Sequence, residues 1–236
     1  MFSMQKPQIT RRLDPSKPFI VLNFKTYKES TGQNAIKLAR IAEKVQEKTG
    51  LNFMVCCQAI DLKDVASTVK IPVYAQHADS DVVGKSTGAI VLEHVRHMNI
   101  QGSLLNHSEK RIIIKEIEKT VIRLKELDMV SIVCAKDYIE AKKIAGFKLV
   151  KPSFIAIEPP ELIGGEVSVS EAKPDVIQKS VKACGNVNVL VGAGIKNNND
   201  LKIALKHGVK GVLLASHFVL ATDPEKFLLD LVKDVV

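Results

Sequence analysis

The stretch GSLLNHSEKRIIIKEIEKTVIRLKELDMVSIVC, residues 102–134, changes its hydrophobic period twice. Leu104 and Leu105 are adjacent and both apolar, so the short segment opening at Gly102 has no face suited to water. From Ile114 onward the apolar residues recur at helical spacing, through Ile117, Val121 and Leu124, which lines one side of a helix. At Val130 a short apolar run returns and ends at Cys134. A strand buried on both faces, a helix, then another such strand is the pattern of parallel neighbours joined by a helical crossover.

The alternation continues in both directions. Short runs rich in β-branched residues begin near Phe19, Phe53, Val73, Phe154, Val187 and Gly211, making eight with those at Gly102 and Val130. Helical patterns lie between them. Ile36, Ala39, Ala42 and Val45 keep one face. Asp223-Pro224-Glu225 reads as an N-cap followed by proline at the first helical position, with Leu228, Leu231, Val232 and Val235 on one side beyond it. Eight such units fit either an open doubly wound sheet or a closed barrel. The first strand-to-helix turn lacks GxGxxG, and the length is close to the roughly 250 residues of barrels. The expected fold is therefore α/β, a single-domain (β/α)8 TIM barrel over residues 18–236. Residues 1–17 are expected to form an extension outside it, free to be flexible.

Composition removes several function classes. The chain has 236 residues, 46% of them apolar and 25% charged, with a net charge of +8. No apolar run reaches the roughly 20 residues needed to span a bilayer, and the first residues lack the apolar centre of a signal peptide. A cytoplasmic protein with no membrane partner is expected. Cys56, Cys57, Cys134 and Cys184 include no CxxC pair and no zinc spacing, so reduced thiols and no metal are expected, with Cys184 the more exposed. The basic residues fall on helix faces such as Lys37, Lys44 and Lys48 rather than in one block, and tryptophan is absent, which speaks against a nucleic-acid partner. A positive field also suits a small anionic substrate.

In such a barrel the chemistry sits where strands end. The first strand ends in Asn23-Phe24-Lys25, whose alternation sends Asn23 and Lys25 to one side; Lys25 suits an anion, unless it is only a solvated loop cation. The fourth ends in Asn106-His107-Ser108-Glu109, and Ser108-Glu109 is expected to open the next helix, whose N–H groups would hold the imidazole neutral. The sixth ends in Ile157-Glu158-Pro159-Pro160. A carboxylate directly after so apolar a strand loses part of its hydration, the condition a proton-abstracting base needs, although Glu158 also reads as a helix cap. Gly192-Ala193-Gly194 and Leu214-Ala215-Ser216, after strands seven and eight, are placed where barrels commonly hold phosphate.

These motifs, Asn23-Phe24-Lys25-Thr26-Tyr27, Leu105-Asn106-His107-Ser108-Glu109, Glu158-Pro159-Pro160-Glu161-Leu162-Ile163-Gly164, Gly192-Ala193-Gly194-Ile195 and Leu214-Ala215-Ser216, together resemble the triosephosphate isomerase family in its shorter archaeal-type form. The resemblance implies a cofactor-free aldose–ketose isomerase of glycolysis and gluconeogenesis, acting on a phosphorylated triose and assembling as a homodimer or homotetramer. It implies Glu158 as base, His107 as neutral electrophile and Lys25 as the cation facing the intermediate. Asn23 would orient substrate. Ile163, Gly164, Gly165, Gly194, Ala215 and Ser216 would bind it, largely through its phosphate. Two departures stand out. Ile163-Gly164-Gly165-Glu166 replaces Ile-Gly-Thr-Gly in the lid, and His217 replaces the glycine after Ala215-Ser216. They leave open a catalytically impaired barrel that binds phosphorylated ligands; another sugar-phosphate isomerase or epimerase also stays open.

Overall fold

The computed structural model describes residues 13–158 and 174–235. Among them, eight parallel strands close into a barrel in sequential order. They are β1 (Phe19–Asn23), β2 (Asn52–Cys57), β3 (Val73–Ala75), β4 (Gly102–Leu105), β5 (Val130–Ala135), β6 (Phe154–Ile157), β7 (Asn188–Val191) and β8 (Gly211–Leu214). The seam that closes the barrel pairs Phe19 with Gly211 and Leu22 with Leu214. The helices between strands are α1 (Gln33–Thr49), α2 (Leu62–Thr68), α3 (Leu92–His97), α4 (Ile114–Glu126), α5 (Tyr138–Ala145), α6 (Pro174–Cys184) and α7 (Asn198–Lys206). A short α8 (Ser216–Val219) and α9 (Pro224–Leu231) follow β8.

Strand side chains alternate between two cores. Phe19, Val21, Met54, Cys56, Tyr74, Leu104, Ile132, Cys134, Phe154 and Ala156 fill the barrel itself, with the rings of Phe19 and Phe154 edge-on at 5.0 Å. Ile20, Leu22, Phe53, Val55, Val133, Ile155 and Val212 face outward, against the helices. Each fully buried side chain of this size contributes about 1.5–3 kcal/mol. Helix stops follow local rules: Gly50 is left-handed at φ +67° and its N–H closes onto Gln46 O at 2.7 Å. Asp223 caps α9 by accepting the Lys226 N–H at 2.9 Å, with Pro224 opening the helix, as its sequence predicts.

Two expectations change. Cys184 is buried like the other three thiols, because the last turn of α6 turns it into the outer core. Ser108-Glu109 does not open α4. It forms a turn closed by the Lys110 N–H to His107 O at 2.8 Å, and α4 begins only at Ile114. Of the N-terminal segment, residues 13–17 are described: Leu13 packs against the barrel interior, and the Asn52 side-chain amide donates to Asp14 O at 2.7 Å and Lys17 O at 3.0 Å.

Candidate active site

Strand parity brings the site together. The inward series Phe19, Val21 continues to Asn23, and the inward series Phe154, Ala156 continues to Glu158, both just past the packed interior. Asn23 and Glu158 are accordingly buried. At β4 the backbone departs from parity. Asn106 takes φ +59°, and the imidazole of His107 turns into the mouth. Lys25 is also left-handed, at φ +50°, with its N–H on Asn23 Oδ1 at 3.0 Å. Phe24 between them points outward and meets Phe218 at 6.2 Å, anchoring the loop that carries the lysine.

A continuous chain of contacts links the three residues singled out as reactive. Lys25 Nζ lies 2.8 Å from Glu109 Oε1. The Glu109 backbone N–H donates to His107 Nδ1 at 3.2 Å. His107 Nε2 lies 3.1 Å from Glu158 Oε1, and Glu158 Oε2 accepts the Ser108 N–H at 3.1 Å. A ring nitrogen that accepts a backbone N–H carries no proton, so in this arrangement the imidazole proton sits on Nε2, facing Glu158. The N–H group that meets the imidazole thus comes from this turn, where a helix terminus was expected. The Glu109 carboxylate reaches only 3.6 Å from Nδ1, whose lone pair is already engaged; its partner is Lys25. With the glutamate side chain 59% exposed, that pair is worth no more than about 1 kcal/mol and yields readily to an anion.

Glu158 is enclosed by its neighbours. Burial first, and the Glu158 carboxylate beside it, push the Cys134 thiol well up, leaving an S–H that donates toward the carboxylate. On the other side, a Cβ built on Gly192 would stand 2.8 Å from Glu158 Cγ and 3.2 Å from Ile157 O. Gly192 therefore leaves room for the carboxylate itself. Gly192→Ala is expected to push Glu158 off its two donors and lower kcat about 100-fold, with a stability loss of roughly 1–3 kcal/mol. Steady-state kinetics alongside a thermal melt check this; a fully active variant excludes the packing role.

The mouth holds a cavity of about 530 Å³ on its β1–β4 side, lined by Asn23, Lys25, Gln76, His77, His107 and Glu109 among others. Gly194, Ala215 and Ser216 do not line it; they sit at the ends of β7 and β8. Gly194 takes φ +75°, and Ser216 opens α8; the Phe218 and Val219 N–H groups bond back to Ala215 O, so those of Ser216 and His217 are the ones that precede the helical ladder. His217 lies inside α8 without a left-handed φ, so a side chain in place of glycine there brings no backbone strain. The ring is exposed at its rim; burial of its packed side, then the Lys196 ammonium, push its pKa down. Ile163, Gly164, Gly165 and Glu166 lie outside the described residues.

Sequence reading passed over several residues here. Glu109, which the sequence pattern places in a first helical turn, is the partner of Lys25. His77 lines the cavity, its Nε2 2.9 Å from Asp79 Oδ1, although nothing around it in the chain marks it. Gln76 donates to the carbonyls of Lys25 and Cys56 at 2.9 and 3.2 Å, tying the β1 loop to β2. Among the described residues no group of three or more His, Cys, Asp or Glu is arranged to hold a metal ion, and no helix is long and apolar enough to cross a membrane.

A closed parallel barrel with an imidazole, a buried carboxylate and an ammonium at the C-terminal mouth defines the class: a (β/α)8-barrel enzyme equipped for proton transfer. A family model described as Triosephosphate isomerase matches residues 18–235. The chain is 47% identical to the triosephosphate isomerase of Methanothermus fervidus, over 93% of this chain and 99% of that protein. It is 46% identical to that of Methanobacterium bryantii, over 92% and 97%, and 42% identical to that of Methanocaldococcus jannaschii, over 91% and 98%. The chain belongs to the triosephosphate isomerase family and is an isomerase.

Proposed function

We propose that the enzyme interconverts dihydroxyacetone phosphate and D-glyceraldehyde 3-phosphate by moving a proton between adjacent carbons through an enediolate. The observation that carries this reading is the unbroken run of contacts from Lys25 through Glu109 and His107 to Glu158. A substrate carbonyl entering the mouth takes over the His107 Nε2–H, which frees Glu158 Oε1 to remove the proton from the neighbouring carbon. His107 then supplies hydrogen bonding to the oxygen as charge develops on it. Lys25, released from Glu109, provides the compensating positive charge, and Asn23 fixes the Lys25 backbone. Gly194, Ala215 and Ser216 offer backbone donors for the phosphate. Ile163, Gly164 and Gly165 are proposed to complete that grip.

The reaction so proposed belongs to glycolysis and gluconeogenesis in the cytoplasm, and it needs no cofactor. Self-association is part of the proposal. Val82 and Val83 are exposed in the β3–α3 loop, and Ile113, Ile114, Tyr138 and Ile139 are exposed where α4 and α5 begin, a set of apolar side chains that a second copy would cover. The test of function is a coupled assay with dihydroxyacetone phosphate, with and without chelator. Turnover unaffected by chelator is expected, and His107→Gln should lower kcat about 100- to 1000-fold. No turnover by the folded wild-type chain overturns the activity. Normal turnover by His107→Gln overturns the electrophile role.

A further inference from the structure

Glu140, on the first turn of α5, has no place in the reaction as proposed, yet four groups converge on it. Oε1 takes the Arg111 Nη2 and, at 3.4 Å, the Asn106 Nδ2. Oε2 accepts the Lys136 N–H at 2.8 Å. Its own N–H is held by the α5 cap residue, through Asp137 Oδ1 at 2.7 Å. Arg111 in turn donates through Nη1 to the Asn106 carbonyl at 3.1 Å. The Asn106 side chain is used at both ends: Nδ2 donates to Cys134 O at 2.9 Å, and Oδ1 accepts the Ile112 N–H at 3.0 Å.

All of this bears on one residue. Asn106 is left-handed, a conformation asparagine tolerates at modest cost and keeps only where its surroundings dictate it. That backbone turn is what rotates His107 into the mouth and Ser108 N–H toward Glu158. We propose that Glu140, acting through Arg111 and Asn106, is a positioning residue for the isomerisation: the Glu140–Arg111 clamp sets the left-handed turn and with it the alignment of His107 against Glu158. The bidentate fork of Arg111 suits this task, since one nitrogen grips the carboxylate and another the carbonyl of the residue to be held. Burial raises the Glu140 pKa, but the hydrogen bonds from Arg111 and the Lys136 N–H outweigh it and the net shift is downward, so the clamp is charged near neutrality. The proposal rests on the roles given above to His107 and Glu158.

Glu140 also helps to cap α5, so stability alone does not test the clamp. Glu140→Ala, Glu140→Gln and Arg111→Met are compared for kcat, KM, inhibition by 2-phosphoglycolate and melting midpoint, with His107→Gln alongside. At a temperature well below every midpoint, Glu140→Ala and Arg111→Met should each lose about tenfold in kcat, since small misplacement of a reacting group is costly, while KM and inhibition stay within about twofold. The double variant should be no slower than the slower single one, because both break the same clamp. Glu140→Gln keeps an acceptor and should fall about threefold, and it carries the same readout if Glu140→Ala fails to fold. A capping role alone lowers the midpoint and leaves kcat intact; that result, with His107→Gln impaired, overturns the clamp. Normal kcat in both Glu140→Ala and His107→Gln overturns the electrophile role on which the clamp depends.

Discussion

Glu158→Gln is expected to lower kcat by about 1000- to 10,000-fold, the range in which a positioned base accounts for proton transfer. In barrier terms that is roughly 4–5 kcal/mol. The substitution keeps the shape of a side chain that is only 3% exposed and enclosed by Gly192 and Cys134, so it isolates the chemistry from the packing. The amide cannot copy both contacts of the carboxylate. Its single oxygen accepts from either His107 Nε2 or the Ser108 N–H, and its NH2 then faces the other donor. One unsatisfied donor costs about 1–3 kcal/mol, offset in part because no charge is buried any longer. The variant should therefore fold, and it should still bind 2-phosphoglycolate, since the phosphate grip proposed above lies with the β7 and β8 turns. Kinetics and calorimetric titration of the same preparation separate the two effects. Near-normal turnover removes Glu158 as the base; loss of analogue binding together with turnover means the substitution disrupted the mouth rather than the proton transfer.

What the sequence discloses and what it hides divide along a physical line. Properties set by local periodicity are legible. Six strands begin where their apolar runs begin, and β2 and β7 each begin one residue away. At β2 the reason is visible: Asn52 is a polar residue drawn into the strand because its amide is satisfied by the carbonyls of Asp14 and Lys17. Asn23 and Glu158 are legible for the same reason as the strands, since they extend an inward-facing series by two residues. Residues whose role depends on contacts between loops are not. The sequence around Ser108-Glu109 looks like a helix start because serine and glutamate favour first turns. The structure overrides that preference, since Arg111 and Asn106 fix a left-handed turn whose partner, Glu140, lies 34 residues beyond Asn106. Cys184 misleads in another way: a lone cysteine near a helix end carries no sign of which face it occupies.

The second large effect concerns barrel closure, and its subject is a glycine that periodicity treats as an ordinary strand residue. A Cβ on Gly211 would stand 1.9 Å from Phe19 O and 2.7 Å from both Phe19 C and Phe19 N. All three are backbone atoms, so no rotamer change relieves the overlap. Phe19 and Gly211 are register partners on the seam between β1 and β8, and the Phe19 N–H is bonded to Lys210 O at 2.9 Å beside them. Gly211→Ala can be accommodated only by moving β8 away from β1, which loosens the ladder that turns an open sheet into a barrel. A cost of about 4–5 kcal/mol is expected, a large part of the total stability of most domains. At roughly 2–4 °C per kcal/mol for a chain of this size, the melting midpoint should fall by about 8–20 °C. Gly208→Ala is the comparison: its φ of +89° disfavours a side chain, but the nearest foreign atom, Val181 Cγ1, is 3.6 Å from the added carbon, so only the backbone preference, about 1 kcal/mol, is at stake. Thermal melts of both variants decide the matter. A midpoint for Gly211→Ala no lower than that of Gly208→Ala means the seam yields more easily than its backbone contacts imply. A collapse confined to Gly211→Ala places the stability of the mouth in a contact at the start of β1 and β8, near the opposite end of the barrel, because Asn23 and Lys25 hold their places above the interior only while β1 stays paired on both sides.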